Sequence, residues 1–341
     1  GAAPWAVSLV CDGIIAGVGG VLTFLPMIAI LFLFLSILED SGYMSRAAFV
    51  MDRTLRHFGL SGKAFIPLLM GFGCTVPAVM GARTMENEKD RRMTIMLVPF
   101  MSCSARLPIY GLLVSAFFPT HRALIVISLY LIGVAMAILS GLILKRFVFK
   151  GEAAPFLLEL PPYRMPTLRN VWAHVWEKVK DFLSRAATLI LAMSVVLWLL
   201  QSFTPQLQYT TDVSASLLSG IGGVLAPLFI PCGFGVWQAA VALLTGLVAK
   251  EAVVSSMSLF YGFSLTASGA AVALALGSTF TPVSAYAFLV FCALYTPCVA
   301  AIATIRREMG SAKWTLACLG WQLGVAYLVS MLIYQVGSLI F

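Results

Sequence analysis

Apolar residues in this chain come in long runs, not in the strict alternation of a barrel strand. The stretch from Leu22 to Leu38 would be apolar on every face of a helix. A bilayer core of roughly 30 Å needs about 20 such residues per crossing. Reading for apolar length places spans near 18–39, 64–82, 93–118, 122–144, 186–203, 217–233, 236–260, 283–305 and 314–340. With shorter embedded pieces the expectation is about eight to ten membrane segments. Segment 41–60 mixes Arg46, Asp52, Arg53, Arg56 and His57 with Ala48, Phe49, Val50 and Leu55, which predicts an interfacial or re-entrant helix that does not cross.

Composition agrees with that pattern. Of 341 residues 60% are apolar and 11% charged, and the mean hydropathy is +0.97, so a water-soluble surface cannot be covered. The fold class expected is an all-α polytopic membrane protein. The net charge of +8 sits between the apolar spans, where it orients a membrane chain and does not mark a nucleic-acid partner. Eight Lys and Arg residues fall in Lys145–Arg185 around Pro155, Pro161, Pro162 and Pro166, while 203–235 and 262–282 carry none. Positive-inside logic therefore puts 83–92, 145–185 and 306–313 in the cytoplasm, although the first 60 residues fit this count poorly. Within the connector, Val171, Trp172, Val175, Trp176 and Val179 interleave with Arg169, Lys178 and Lys180, the pattern of a helix on an anionic lipid surface. The connector divides the chain into 1–144, 145–185 and 186–341. The start, Gly1-Ala2-Ala3-Pro4, has no basic n-region and reads as a trimmed end, not as a signal peptide.

An internal repeat is worth seeking in such a chain, because transporters are often built from inverted repeats. Cys74 precedes Arg83, and Cys298 precedes Arg307, by nine residues, and each Arg opens a short charged loop. The expectation is two gate-type repeats with broken or re-entrant helices, Cys74 corresponding to Cys298.

The chemistry lies at the helix breakers. Gly71-Phe72-Gly73-Cys74-Thr75-Val76-Pro77 weakens one span around a thiol, and Gly73 and Pro77 are candidate gating positions. Pro99 to Pro108 bracket Met101, Ser102, Cys103 and Ser104, with Arg106 one turn after the thiol. Pro297-Cys298 forms a third break. Irregular backbone at membrane depth is tolerated only where it is buried or lines a cavity, so these thiols and freed carbonyls are candidate ligands. Packing explains each cysteine equally well when taken alone. Cys11, Cys232, Cys292 and Cys318 default to packing, and all seven read as reduced thiols. Three thiols suit Fe²⁺, Zn²⁺ or Cu⁺ better than Mg²⁺ or Na⁺. Glu39-Asp40 ends the first span and Lys250-Glu251 interrupts another; each is either a pathway marker or a structural pair or end. No enzyme site emerges: His57, His121 and His174 form no metalloprotease motif, and Gly59-Leu60-Ser61-Gly62-Lys63-Ala64 lacks the spacing and final hydroxyl of a phosphate loop.

Five segments together resemble the membrane region of the ferrous iron transport protein B (FeoB) family: LEDSGYMSRAAFVMDR at 38–53, GKAFIPLLMGFGCTVPAVMGARTM at 62–85, PFMSCSARLPIY at 99–110, TGLVAKEAVVSSM at 245–257 and YTPCVAAIATIRREMG at 295–310. They follow in order over nearly the whole chain. The resemblance implies a multi-pass importer of Fe²⁺ in the bacterial inner membrane, with Fe²⁺ as cargo and no resident cofactor. It implies metal-path residues at Cys74, Cys103, Cys298, Glu39, Asp40 and Glu251, with Lys250 in the same motif as Glu251. Lys250 and, from the helix breaks and charged loops themselves, Gly73, Pro77, Arg83, Arg106 and Pro297 are the structural or gating candidates. Members carry an N-terminal G domain that binds GTP and Mg²⁺. It is not written in these residues and is either cut away or a separate chain. Small accessory Feo proteins and a second copy of the chain, meeting through Trp172 and Trp176, are further implied partners. The short 262–282 loop departs from relatives with a longer insertion. A gate-type carrier of nucleosides or other small solutes and a non-transporting scaffold are the alternatives.

Overall fold

Every regular element in a computed structural model of the chain, which describes residues 4–149, 163–184, 188–204, 206, 208–210, 212–264 and 269–340, is helical. The one β-contact among them is an isolated bridge between Phe203 and Tyr209. Five helical stretches are long and apolar enough to cross a membrane: Leu9–Asp40, Glu88–Phe117, Arg122–Phe147, Pro282–Met309 and Ala312–Ile340. An all-α polytopic membrane protein is therefore what the chain forms. The middle of the basic connector, with Pro155, Pro161 and Pro162, lies outside the described residues, as does part of the 262–282 loop.

Two expected spans do not cross. Segment 64–82 becomes two helices, Phe65–Gly71 and Thr75–Gly81, of seven residues each. At 1.5 Å per residue an arm reaches only about 10 Å. The chain turns back at Phe72-Gly73-Cys74, because Gly81 comes to lie beside Pro67 and Met70. Lys63 closes the mouth of this first hairpin on Glu86 at 3.0 Å. Segment 236–260 is a second hairpin, Trp237–Val248 and Ala252–Tyr261, with Ala249-Lys250-Glu251 at its tip. Thr245 and Ser256 share a buried hydrogen bond of 2.9 Å across its arms, and Trp237 meets Phe260 at 5.4 Å between ring centroids at its mouth. The chain reverses within both segments, where a count of apolar residues reads straight through. The expected span 217–233 is likewise no straight crossing, since Leu217–Cys232 meets Trp237–Val248 at 103°.

The hairpins enter from opposite faces. Arg83, past the first hairpin, is ion-paired with Glu308 at the end of Pro282–Met309, and Arg92 lies 5.1 Å over the Trp314 ring. The loops 83–92 and 306–313 thus share one face, as their basic residues predict. At the other face Thr279 donates to Tyr261 at 2.9 Å, and Ser128 meets Tyr286 at 2.8 Å. Span 88–117 runs from the basic-loop face outward, and 282–309 runs back. Each half then reads hairpin, broken span, unbroken span, in inverted orientation. This order corrects the expected correspondence: Cys298 stands in the place of Cys103, while Cys74 at one hairpin tip corresponds to Lys250-Glu251 at the other.

Both amphipathic segments are helices. In Tyr43–His57, Met44, Ala48 and Leu55 are buried, and Gly42 at φ 77° turns the chain into it from Asp40. In Leu168–Phe182, Val171, Val175 and Val179 lie one turn apart and pack on Ile28, Phe32 and Leu35 of the N-terminal span, leaving Trp172 and Trp176 exposed. The short helix Gly269–Leu276 has no counterpart in the hydropathy reading.

Close approach of backbones holds the broken spans in register. A methyl at Gly133, inside Arg122–Phe147, would meet the Phe100 carbonyl oxygen at 2.7 Å, whereas one at Gly111 meets nothing within 4 Å. Gly133→Ala is expected to lower unfolding stability in detergent by about 1–3 kcal/mol. Gly111→Ala, on the exposed face of helix Leu107–Phe117, should leave it unchanged or raise it by about 0.5–1 kcal/mol. Denaturant titrations followed by tryptophan fluorescence compare the two.

Candidate functional site

Four interruptions of helix meet at one place: the tip Phe72-Gly73-Cys74, the break Met101-Ser102-Cys103, the tip Ala249-Lys250-Glu251 and the break Tyr295–Cys298. They line a cavity of about 440 Å³ together with Leu31 and Phe34 of the N-terminal span. Each of the three cysteines is the residue that precedes a helical turn. Cys74 opens Thr75–Gly81, Cys103 opens the 3-10 turn Ser104–Arg106, and Cys298 opens Val299–Met309. Their backbones are extended there, with ψ of 132°, 158° and 159°, because a helix begins only after a residue that leaves the α region. All three thiols are free and half-buried, whereas Cys232, Cys292 and Cys318 are fully buried.

Polar groups freed by the breaks are taken up inside the site. Ser104 donates its backbone N–H at 3.3 Å and its hydroxyl at 2.9 Å to the Gly73 carbonyl, fastening the first tip to the first break. A side chain at Gly73 would meet Leu31 at 2.7 Å, so glycine lets the tip seat against the N-terminal span. Lys250 does the equivalent work at the second tip. Its Nζ donates to the Thr296 carbonyl at 2.6 Å and lies 3.1 Å from the centre of the Tyr295 ring, with the residue 4% exposed. Arg106 is 1% exposed and joins the two broken spans. It donates to the carbonyls of Met101 at 3.3 Å and Pro99 at 3.2 Å, and reaches that of Tyr295 at 3.5 Å.

Lys250 and Glu251 are therefore not a salt bridge. Glu251 lines the cavity and forms no ion pair among the described residues. The cavity thus offers three thiols, one carboxylate, and the hydroxyls of Thr75 and Ser104 along its wall. Among the described residues no three Cys, His, Asp or Glu side chains stand close enough to hold a metal ion. The donors surround a space without forming a finished cage.

The remaining predicted residues lie elsewhere. Glu39 accepts from Lys178 at 2.9 Å, and Asp40 faces His174 at 3.5 Å. With Pro77 and Arg83, Glu39 lines a separate cavity on the basic-loop side. The acidic pair is therefore apart from the thiols, on the basic-loop side. Gly73, Arg106, Lys250 and Pro297 do line the thiol cavity. Ser104, Tyr295 and Thr296 carry roles that only their contacts reveal, although all three flank the breaks that Pro and Gly mark in the sequence.

Comparison with known proteins agrees with this architecture. A family model described as nucleoside recognition, the Gate model, matches residues 21–117 and 183–312, which contain both hairpins and both broken spans. A model described as ferrous iron transport protein B C terminus matches 126–178. The Fe(2+) transporter FeoB of Staphylococcus aureus (strain COL) is 47% identical over 339 residues, covering 99% of this chain and 50% of its own length. That of Methanocaldococcus jannaschii is 43% identical over 341 residues, 98% of this chain and 50% of its own. A protein of Porphyromonas gingivalis, an Fe(2+) transport protein A/Fe(2+) transporter FeoB fusion protein, is 41% identical over 377 residues, 98% of this chain and 44% of its own. The chain spans about half the length of the curated relatives it matches, and no solved structure matches it. Broken spans, the hairpin tips with their Cys and Lys-Glu, and these matches together show that the chain belongs to the ferrous iron transport protein B (FeoB) family, as its membrane part.

Proposed function

We propose that the chain is the translocation unit for Fe²⁺, importing it across the prokaryotic inner membrane through the thiol cavity between two inverted repeats, 1–144 and 186–341, joined by the connector 145–185. The observation that carries this reading is the convergence of Cys74, Cys103, Cys298 and Glu251 on one cavity at four backbone breaks. Thiol and carboxylate donors together match a borderline cation such as Fe²⁺, and hard ions with oxygen-only shells match less well. An open arrangement suits transport. Fe²⁺ exchanges part of its water shell for one or two sulfurs at a time, and leaves again because no complete cage traps it. Glu39 and Asp40 act on the basic-loop side, after the thiols, and not at the entrance.

A GTP-binding domain on the cytoplasmic face is the regulator in this reading. Accessory Feo proteins are supported by the relative in which transport protein A and FeoB are one chain. A nucleoside cargo is less well supported. Arg106 and Lys250 are the strongest hydrogen-bond donors of the cavity, and both are already engaged by backbone carbonyls. A non-transporting scaffold has no use for donors lining an interior space.

In proteoliposomes, Fe²⁺ uptake should fall severalfold in Cys74→Ser with Cys103→Ser; unchanged uptake and unchanged preference for Fe²⁺ over Mg²⁺ would refute the thiol path. Arg106→Met should cost on the order of 3 kcal/mol of unfolding stability, because the carbonyls of Pro99, Met101 and Tyr295 lose a charged donor. Arg106→Lys keeps the charge but not the planar fork and is expected to fall between. Equilibrium unfolding in detergent ranks the three proteins.

A further inference from the structure

The thiol cavity ends on an apolar partition. On the basic-loop side lie two further cavities, of about 440 and 210 Å³, and both share the side chains of Val76 and Phe182 with the thiol cavity. Ala300 is also common to the thiol cavity and the smaller of them. Val76 and Ala300, each 6% exposed, cluster with Phe182, Ile190 and Met80 directly against Cys74 and Cys298. The side chains that meet there are apolar, while Thr304 and Asp181 line the smaller cavity on the far side. Beyond the cluster the larger cavity sets the charged side chains of Glu39, Arg83, Glu177, Lys178 and Asp181 into an otherwise largely apolar wall.

The three partition residues are not held alike. Val76 and Ala300 each stand two positions after a site cysteine, on the helices Thr75–Gly81 and Val299–Met309, whose far ends Arg83 and Glu308 tie together. Phe182 is the last residue of the connector helix Leu168–Phe182. That helix is held to the N-terminal span by its valine face and by Lys178–Glu39 and His174–Asp40, whose side chains remain partly exposed. A narrow apolar constriction excludes a hydrated cation by dewetting. Of the three side chains, Phe182 is the one whose helix is bonded chiefly to the N-terminal span, with Asp181 beside it facing Arg83. It can therefore move with less disturbance of the thiol cavity than Val76 or Ala300.

We propose that Phe182 is the movable leaf of a hydrophobic gate on the basic-loop side of the thiol cavity, and that the connector helix positions it. The assignment rests on the Fe²⁺ path described above, and it gives that path a point of control. The test uses the full chain in sealed vesicles with the basic loops outward and a membrane-impermeant cationic thiol reagent. Modification of Cys74 and Cys298 is followed by peptide mass spectrometry. Phe182→Ala should speed modification about tenfold and Phe182→Trp should slow it. Cys232, Cys292 and Cys318 must stay unmodified, which separates gating from unfolding, and Phe182→Leu is the smaller change if the alanine variant does not fold. Lys178→Ala, which cuts the bond to Glu39, should also speed modification. Rates at Cys74 and Cys298 that ignore Phe182 overturn the gate, and rates that respond to Phe182 but not to Lys178 overturn its control by the connector helix. Fe²⁺ flux in the same vesicles tells the two readings apart: faster thiol modification without faster flux leaves the gate standing and removes the iron path.

Discussion

Peptide groups that lose their helical partners inside an apolar environment must find others, and the centre of this protein is organised around that requirement. Each buried carbonyl or N–H left alone costs about 1–3 kcal/mol, and four helix breaks lie together here. Ser104 answers for the first hairpin tip, Lys250 for the second break, and Arg106 for both broken spans at once. Two buried basic side chains are an unusual expense in a membrane chain. They are tolerated because carbonyl dipoles, and for Lys250 the face of Tyr295, replace their water.

That arrangement also decides which groups remain for a ligand. Carbonyls near the breaks are engaged by Ser104, Lys250 and Arg106, so the donors left on the cavity wall are the thiols, the Glu251 carboxylate and the Thr75 hydroxyl. Beside the Arg106 guanidinium another cation rests only where those softer donors outweigh its charge. The balance favours an ion that binds sulfur and penalises one that needs an all-oxygen shell. The same contacts thus stabilise the broken backbone and set which groups on the cavity wall are left uncommitted.

Close packing depends on residues without side chains. Gly133 admits the Phe100 carbonyl, Gly73 admits Leu31, and a methyl at Gly246 would collide with Tyr295 and Val253. In lipid, where water gives helices no reason to associate, such approaches and the hydrogen bonds between tips and breaks supply the adhesion. The two repeats are therefore locked at their centre and paired again at the basic-loop face through Arg83 and Glu308. The connector helix lies outside that lock, against the N-terminal span.

Much of this was legible in the residues themselves. Hydropathy alone identifies an all-α membrane chain, since no water-soluble surface can be made from these spans, and the two amphipathic helices at 43–57 and 168–182 follow from their mixed faces. Gly and Pro marked the breaks at Cys74, Cys103 and Cys298, because those residues disfavour helix wherever they occur. Tertiary structure alone decided what each break does. Reversal at residues 72–74 and 249–251, against continuation at 101–103 and 295–298, depends on which neighbour receives the freed peptide groups, and no local pattern records that neighbour. For the same reason the short match between Cys74 and Cys298 misled, while element order joined Cys298 to Cys103. Glu39 and Asp40 could be read from sequence as pathway markers or as a helix end, and only packing sets them against Lys178 and His174. Residue type reports what a side chain can bind; only the fold sets what lies within its reach.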